Sequence, residues 1–393
     1  MKIFTRKFGL VLVLTAVMMF LASCNSNDRY YKYSINLDPT FQSPNSVDFW
    51  VWNEDDKTKF EGLVIELNDE LKRLDNIFNI QDRGDGVITD LMKVNSNAGI
   101  APVLVDREII DVLNMAIEVS DETLLDGVAV YDVTIAPVWQ LWDFPNKSFV
   151  PMEGNYYDPP SKAKIEELLP LVDYNLIQID EEASTVFLPI KGMGIDLGSI
   201  VKGYAADKLK TILINHGIKK AVIDVGRNIL LLGNYFDRLD GFIDIPFSAS
   251  IITPYVSIFH PKYDEIGTFG NLKIDDNTLV TSGSYEKYIK DEDDNEYHHI
   301  LDPRTGYPFN HNVISISVVT EESIKGDAYS TALFSLGLEK GMELVESKEG
   351  LDAIWVVKNE DKYEVYISSG LEGNFEFNSK VEERDFVYKG VYK

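Results

Sequence analysis

The chain has 393 residues, with 64 Asp and Glu against 37 Lys and Arg, for a formal charge of −27 at pH 7. So acidic a surface argues against nucleic acid and against broad adhesion to anionic lipid heads. An anionic ligand would need a local cation, either Mg²⁺ or a few placed lysines and arginines, and the length suffices for one large or two modest domains with a full core.

At the N-terminus Lys2, Arg6 and Lys7 precede an apolar run over 8–20, followed by Leu21-Ala22-Ser23-Cys24. The run is too short to span a bilayer, and the pattern predicts a lipoprotein signal peptide over 1–23. Cys24, the only cysteine, is then the acylated residue, and the protein is expected on the extracytoplasmic face of a bacterial membrane. Residues 24–44, polar and without period, read as a lipidated tether, and 45–393 as a single domain with no internal repeat.

Alternation predicts a strand over 47–52. Phe60, Leu63, Val64, Leu67, Leu71 and Leu74 fall at helical spacing and predict a helix over 57–78. Ile109, Ile110, Val112, Leu113, Ala116 and Ile117 do the same for 107–120. Further helices are predicted over 163–169, 204–215 and 327–345, and strands over 176–179, 185–189, 221–225, 229–232, 313–319, 353–357 and 363–367. Short helices between paired strands define an α+β fold of mainly antiparallel sheets with packed helices.

The segment Asp196-Leu-Gly-Ser-Ile-Val-Lys-Gly203 runs into the helix predicted over 204–215. It offers a carboxylate, a close-approach backbone and a lysine at a helix entry, where free N–H groups and the dipole favour a phosphate. The same residues also suit an ordinary strand-turn-helix with a capping Asp and a solvated Lys. Gly192, Gly194 and Gly198 lack the spacing of a dinucleotide fingerprint, and no Gly-Lys-Ser/Thr triplet makes a P-loop.

A second cluster is His298-His-Ile-Leu-Asp-Pro-Arg-Thr-Gly306, followed by Gly326-Asp-Ala-Tyr-Ser-Thr331. Asp327 and Thr331 are four apart, so both oxygens share one helix face. A carboxylate with a hydroxyl suits Mg²⁺, which completes its octahedron with water and phosphate oxygens; Asp327 also reads simply as an N-cap. His298 and His299, adjacent on an extended segment, face opposite ways, so at most one enters a given site. Zinc is disfavoured for want of further ligands at suitable spacing, and 291–302 imitates an EF-hand loop without its glycine or terminal glutamate.

These segments, with Tyr131-Asp-Val-Thr-Ile-Ala-Pro137, Leu141-Trp142 and Thr281-Ser-Gly-Ser-Tyr-Glu286, occur in the order seen in the ApbE family of FAD:protein FMN transferases. The resemblance spans about 45 to 370 and implies an ApbE-like, T-fold-related single catalytic unit. It implies that Val130, Tyr131, Asp132, Asp196, Lys202 and Leu301 contact FAD. It also implies Mg²⁺ on the Ser199 carbonyl, the Asp327 carboxylate and the Thr331 hydroxyl, with His299 as general base toward an acceptor threonine. The partners implied are FAD and an extracytoplasmic flavoprotein of an electron-transport complex, with AMP released.

The chain departs from that pattern at Phe78-Asn-Ile-Gln81, where an aromatic is usual at the last position, and in a longer loop over 82–88. It departs again at Pro44-Asn-Ser-Val-Asp48 and at Arg227, where a second glycine is typical. Hydrolysis of FAD to FMN and AMP, or flavin carriage without catalysis, are the alternatives to transfer.

Overall fold

The computed structural model describes residues 30–51, 60, 62–147, 156–237, 243–256 and 259–392. The predicted signal peptide and Cys24 lie outside these residues. Nine strands form one sheet whose spatial order follows the chain. They are β1 (Tyr31–Thr40), β2 (Ser43–Val51), β3 (Ala221–Val225), β4 (Asn228–Leu232), β5 (Thr278–Gly283), β6 (Val313–Thr320), β7 (Asp352–Asn359), β8 (Lys362–Ile367) and β9 (Phe386–Val391). Neighbours are antiparallel except β8 and β9, which run parallel.

The central strands are buried on both faces, and their side chains divide by the two-residue period of a strand. In β7, Ala353, Trp355 and Val357 enter one core while Ile354 and Val356 enter the other. On the first face lie four helices, α1 (Leu63–Phe78), α2 (Arg107–Glu122), α3 (Val201–Asn215) and α4 (Ser323–Glu346). There α4 crosses β5, β6 and β7, α3 covers β3 and β4, and α1 rests on β1. The opposite core includes residues of a three-stranded sheet of Phe247–Ile252, Thr268–Ile274 and Phe375–Phe377, among them Phe269 and Leu272. Each fully buried Trp355, Phe334 or Leu67 contributes about 1.5–3 kcal/mol of transfer free energy.

The α+β, mainly antiparallel class is the one observed. Three boundaries differ for physical reasons. The tether read over 24–44 contains β1, which pairs with β2 from Tyr31↔Val51 to Thr40↔Ser43. Tyr33, Ile35 and Leu37 alternate there and pack on or within the helical core. Helix α3 begins at Val201 rather than 204, and α4 at Ser323 rather than 327, because each borrows a carboxylate from the other helix for its first turn. Gly337, at φ 79° and ψ 179°, interrupts α4. Among the described residues no helix is long and apolar enough to cross a membrane.

Candidate active site

The first turns of α3 and α4 touch. A Cβ on Gly203 would stand 2.1 Å from the Ser323 carbonyl oxygen and 2.8 Å from the Asp327 Cβ, so only glycine permits the contact. Asp327 is therefore not the N-cap of its own helix; its Oδ2 accepts the Gly203 N–H at 2.9 Å. Gly203 stands in the first turn of α3, where N–H groups have no intrahelical partner of their own.

Beside this junction opens a cavity of ≈ 460 Å³. Val130, Tyr131, Asp132, Asp196, Ser199, Lys202, His299, Leu301, Asp327 and Thr331 all line it, whereas His298 does not. Ser199 Oγ donates to the Tyr131 hydroxyl at 3.0 Å, tying the helix entry to the 130–132 segment. Asp196 receives the Gly198 N–H at 2.8 Å, and burial raises its carboxyl above the ordinary range. The Asp132 carboxylate accepts from the Thr134 N–H, the Thr134 hydroxyl and the Tyr174 N–H. Its role within the protein is thus to shape the loop, and burial raises it too.

Asp327 is 2% exposed, and its Oδ1 stands 3.6 Å from Lys202 Nζ. Among the described residues no three His, Cys, Asp or Glu cluster for a metal. The donors at the helix junction are instead one carboxylate, one hydroxyl four residues on, and the Ser199 carbonyl just ahead of α3. This sparse, all-oxygen set fits a hard cation that keeps waters and phosphate ligands, and it does not fit zinc.

The two histidines separate as strand neighbours do. His298 turns inward, with Nε2–H donating to the Phe309 carbonyl at 3.0 Å and its ring on Phe334. His299 faces the cavity, half-buried, and both its backbone N–H and ring Nδ1 meet the Lys287 carbonyl, at 3.0 and 3.1 Å. A carbonyl only accepts, so Nδ1 carries the proton and Nε2 presents its lone pair. Burial, then the Lys287 and His298 charges, pull the ring down to about 3. It is neutral at physiological pH.

Residues 45–355 match the family described as the ApbE family. A Klebsiella pneumoniae protein named FAD:protein FMN transferase is 31% identical over 336 residues, covering 86% of this chain and 92% of the relative. The chain belongs to the ApbE family. A Treponema pallidum protein of the same name is 32% identical over 274 residues, covering 68% of this chain and 70% of the relative. In fold the chain resembles the flavin transferase ApbE from Vibrio cholerae, with a TM-score of 0.70 at 23% identity over 87% of this chain and 99% of that one.

Within this ApbE-family chain the cavity also recruits residues that sequence reasoning did not assign to it. Phe41 and Gln42 form the two-residue turn between β1 and β2 at φ 51° and 59°, and the Gln42 amide donates to the Gln81 side-chain oxygen. Gln81, where an aromatic is usual, thus pins the N-terminal hairpin to the wall beyond α1. Gly226 and Arg227 turn β3 into β4 at φ 58° and 73°, and Arg227 Nη1 meets Glu286 Oε1 at 3.0 Å. Lys287 follows Glu286 on the lining. No spacing in the sequence marks it.

Proposed function

We propose that this protein transfers FMN from FAD to a threonine hydroxyl of an extracytoplasmic flavoprotein, releasing AMP, in a Mg²⁺-dependent reaction. The observation that carries the reading is the convergence on one cavity of a neutral imidazole with a free Nε2, a lysine at a helix entry and the oxygen triad of Ser199, Asp327 and Thr331. The names of the Klebsiella and Treponema relatives, both FAD:protein FMN transferases, support the same activity.

In the proposed reaction the threonine oxygen bonds to the FMN phosphorus while the anhydride P–O bond breaks, its electron pair leaving on the AMP phosphate. The hydroxyl proton passes to His299 Nε2, and the Lys287 carbonyl keeps the ring in the tautomer that accepts it. Lys202 holds a phosphate at the first turn of α3, where the dipole adds to its charge. Mg²⁺, held by the Ser199 carbonyl, Asp327 and Thr331, would supply neutralisation of the pyrophosphate charge. Anchoring through an acylated Cys24 belongs to the same proposal and suits an acceptor outside the cytoplasm.

The test is to incubate the protein with FAD, Mg²⁺ and an acceptor domain bearing a Ser/Thr-Gly-Ala-Thr segment, then look for flavin fluorescence that survives a denaturing gel. Fluorescence on the acceptor is the expected result. Free FMN and AMP without labelling would replace transfer by hydrolysis, and unchanged FAD would leave a carrier.

A further inference from the structure

Three cationic side chains line the cavity: Lys202, Arg227 and Lys287. Two have carboxylate partners, Lys202 with Asp327 at 3.6 Å and Arg227 with Glu286 at 3.0 Å. Among the described residues, no carboxylate stands within ion-pairing distance of the Lys287 ammonium. Partial desolvation, then the like charge of Lys202, lower the proton affinity of this solvent-exposed residue, while Glu286 and Asp196 offset them in part. Two like charges facing one cavity destabilise each other until an anion joins them. Among the described residues the resting protein places no carboxylate in ion-pair contact with Lys287.

The main chain fixes where that ammonium acts. The Lys287 carbonyl binds both the N–H and the ring of His299, so the residue that holds the base also projects a cation into the same cavity. The base must stand beside the phosphorus that the acceptor attacks, which is that of the FMN half. We propose that Lys287 binds a non-bridging oxygen of the FMN phosphate of FAD, as a second cation beside Lys202, and holds that phosphate against the hydroxyl activated by His299. The inference rests on the transfer reading above. Lys287 keeps its proton throughout; it exchanges none in the step, and its charge offsets the charge gathered on the phosphoryl oxygens as the anhydride breaks.

The experiment compares Lys287→Met, Lys287→Arg and the unaltered protein by calorimetric titration with FMN, AMP and riboflavin, alongside melting temperature and acceptor labelling. The side chain faces the cavity and the His299 bonds use the backbone, so neither variant disturbs the fold or the tautomer. Loss of one charge-assisted hydrogen bond should weaken FMN binding about tenfold or more in Lys287→Met. AMP and riboflavin binding should stay level, and Lys287→Arg should recover most of the loss. FMN binding unchanged in Lys287→Met, or AMP weakened in its place, overturns the assignment while leaving the transfer reading intact. Failure of the unaltered protein both to bind FMN and to label the acceptor overturns both.

Discussion

Asp207 and Asp327 each cap the helix that carries the other. Asp207, on α3, accepts the Ser323 and Ile324 N–H groups at 3.0 and 2.9 Å, and Asp327, on α4, accepts the Gly203 N–H at 2.9 Å. Helix starts leave such N–H groups without intrahelical partners, and here two helices resolve the shortage reciprocally. The exchange locks the pair at the spot where Lys202 and the proposed metal ligands emerge. A carboxylate proposed as a metal ligand is thereby also a structural one.

That double role separates two variants. Asp327→Ala removes both the cap and the charge, so it should lower stability by about 1–3 kcal/mol and abolish labelling. Asp327→Asn keeps an acceptor oxygen for Gly203 and should melt close to the unaltered protein, yet lose Mg²⁺-dependent turnover at least a hundredfold, roughly the scale of removing one electrostatic contributor. Differential scanning fluorimetry with a labelling assay checks both. Full activity in Asp327→Asn would refute the metal assignment.

The cap on the other side carries a pH signature. Burial lifts the Asp207 carboxyl from its ordinary 3.8 to about 6, against the pull of the Ile324 and Ser323 N–H bonds. Between about pH 4 and 6 the folded state therefore holds a proton that the unfolded chain has released. Stability from this group is complete below 3.8 and is lost as pH rises through 6. Asp207→Asn is neutral at every pH. Its melting temperature relative to the unaltered protein should rise between pH 4.5 and pH 7.5, and a gap that stays constant would show that Asp207 does not titrate there.

How much of this was readable in the chain depends on the range of the interaction. Alternation in 353–357 and helical spacing in 107–120 reveal strand and helix because each period is set by the neighbours of a single element. The lining residues from Val130 to Thr331 were legible as short motifs. Their gathering around one cavity required the sheet. Strand β1 is hidden in the sequence although Tyr33, Ile35 and Leu37 alternate, since the Asp, Asn and Ser among them resemble a linker until β2 pairs with them. The reciprocal caps join positions 116 and 124 apart, and Lys287 sits on a short hairpin where periodicity says nothing of direction.

His299 and His298 should fail in different ways. His299→Ala removes the cavity imidazole and should cut labelling by about 10²–10⁴-fold while FAD binding stays largely intact. His298 contacts Phe309 and Phe334 instead, so His298→Ala should lower the melting temperature with far less effect on labelling by the surviving folded protein. Because the His299 ring is held down at about 3, it stays unprotonated throughout the neutral range. A profile of kcat/KM for FAD should show no acid-side loss centred near 6.5, the ordinary histidine value. Such a loss would mean that the base titrates as an ordinary imidazole and that the His299 ring is not depressed.

Glu108 offers the complementary acid test of stability. It stands in the first turn of α2 and accepts from Arg73 of α1 at 2.5 Å and from Lys208 and Tyr204 of α3 at 2.6 and 2.7 Å, so one carboxylate joins three helices. Burial alone would raise its carboxyl, but the bonds from Arg73, Lys208 and Tyr204 outweigh it and hold the group at about 2, below the ordinary 4.5. A depressed folded value means stability that is present above 4.5 and drains away as pH falls toward 2. Glu108→Gln should therefore melt below the unaltered protein at pH 7, with the gap narrowing as the pH falls from 4.5 toward 2. Added salt should narrow the gap at pH 7 as well, because the group is partly open to solvent and its ion pairs are screened. A gap insensitive to both acid and salt would mean that packing of the side chain, and not its charge, holds α1, α2 and α3 together.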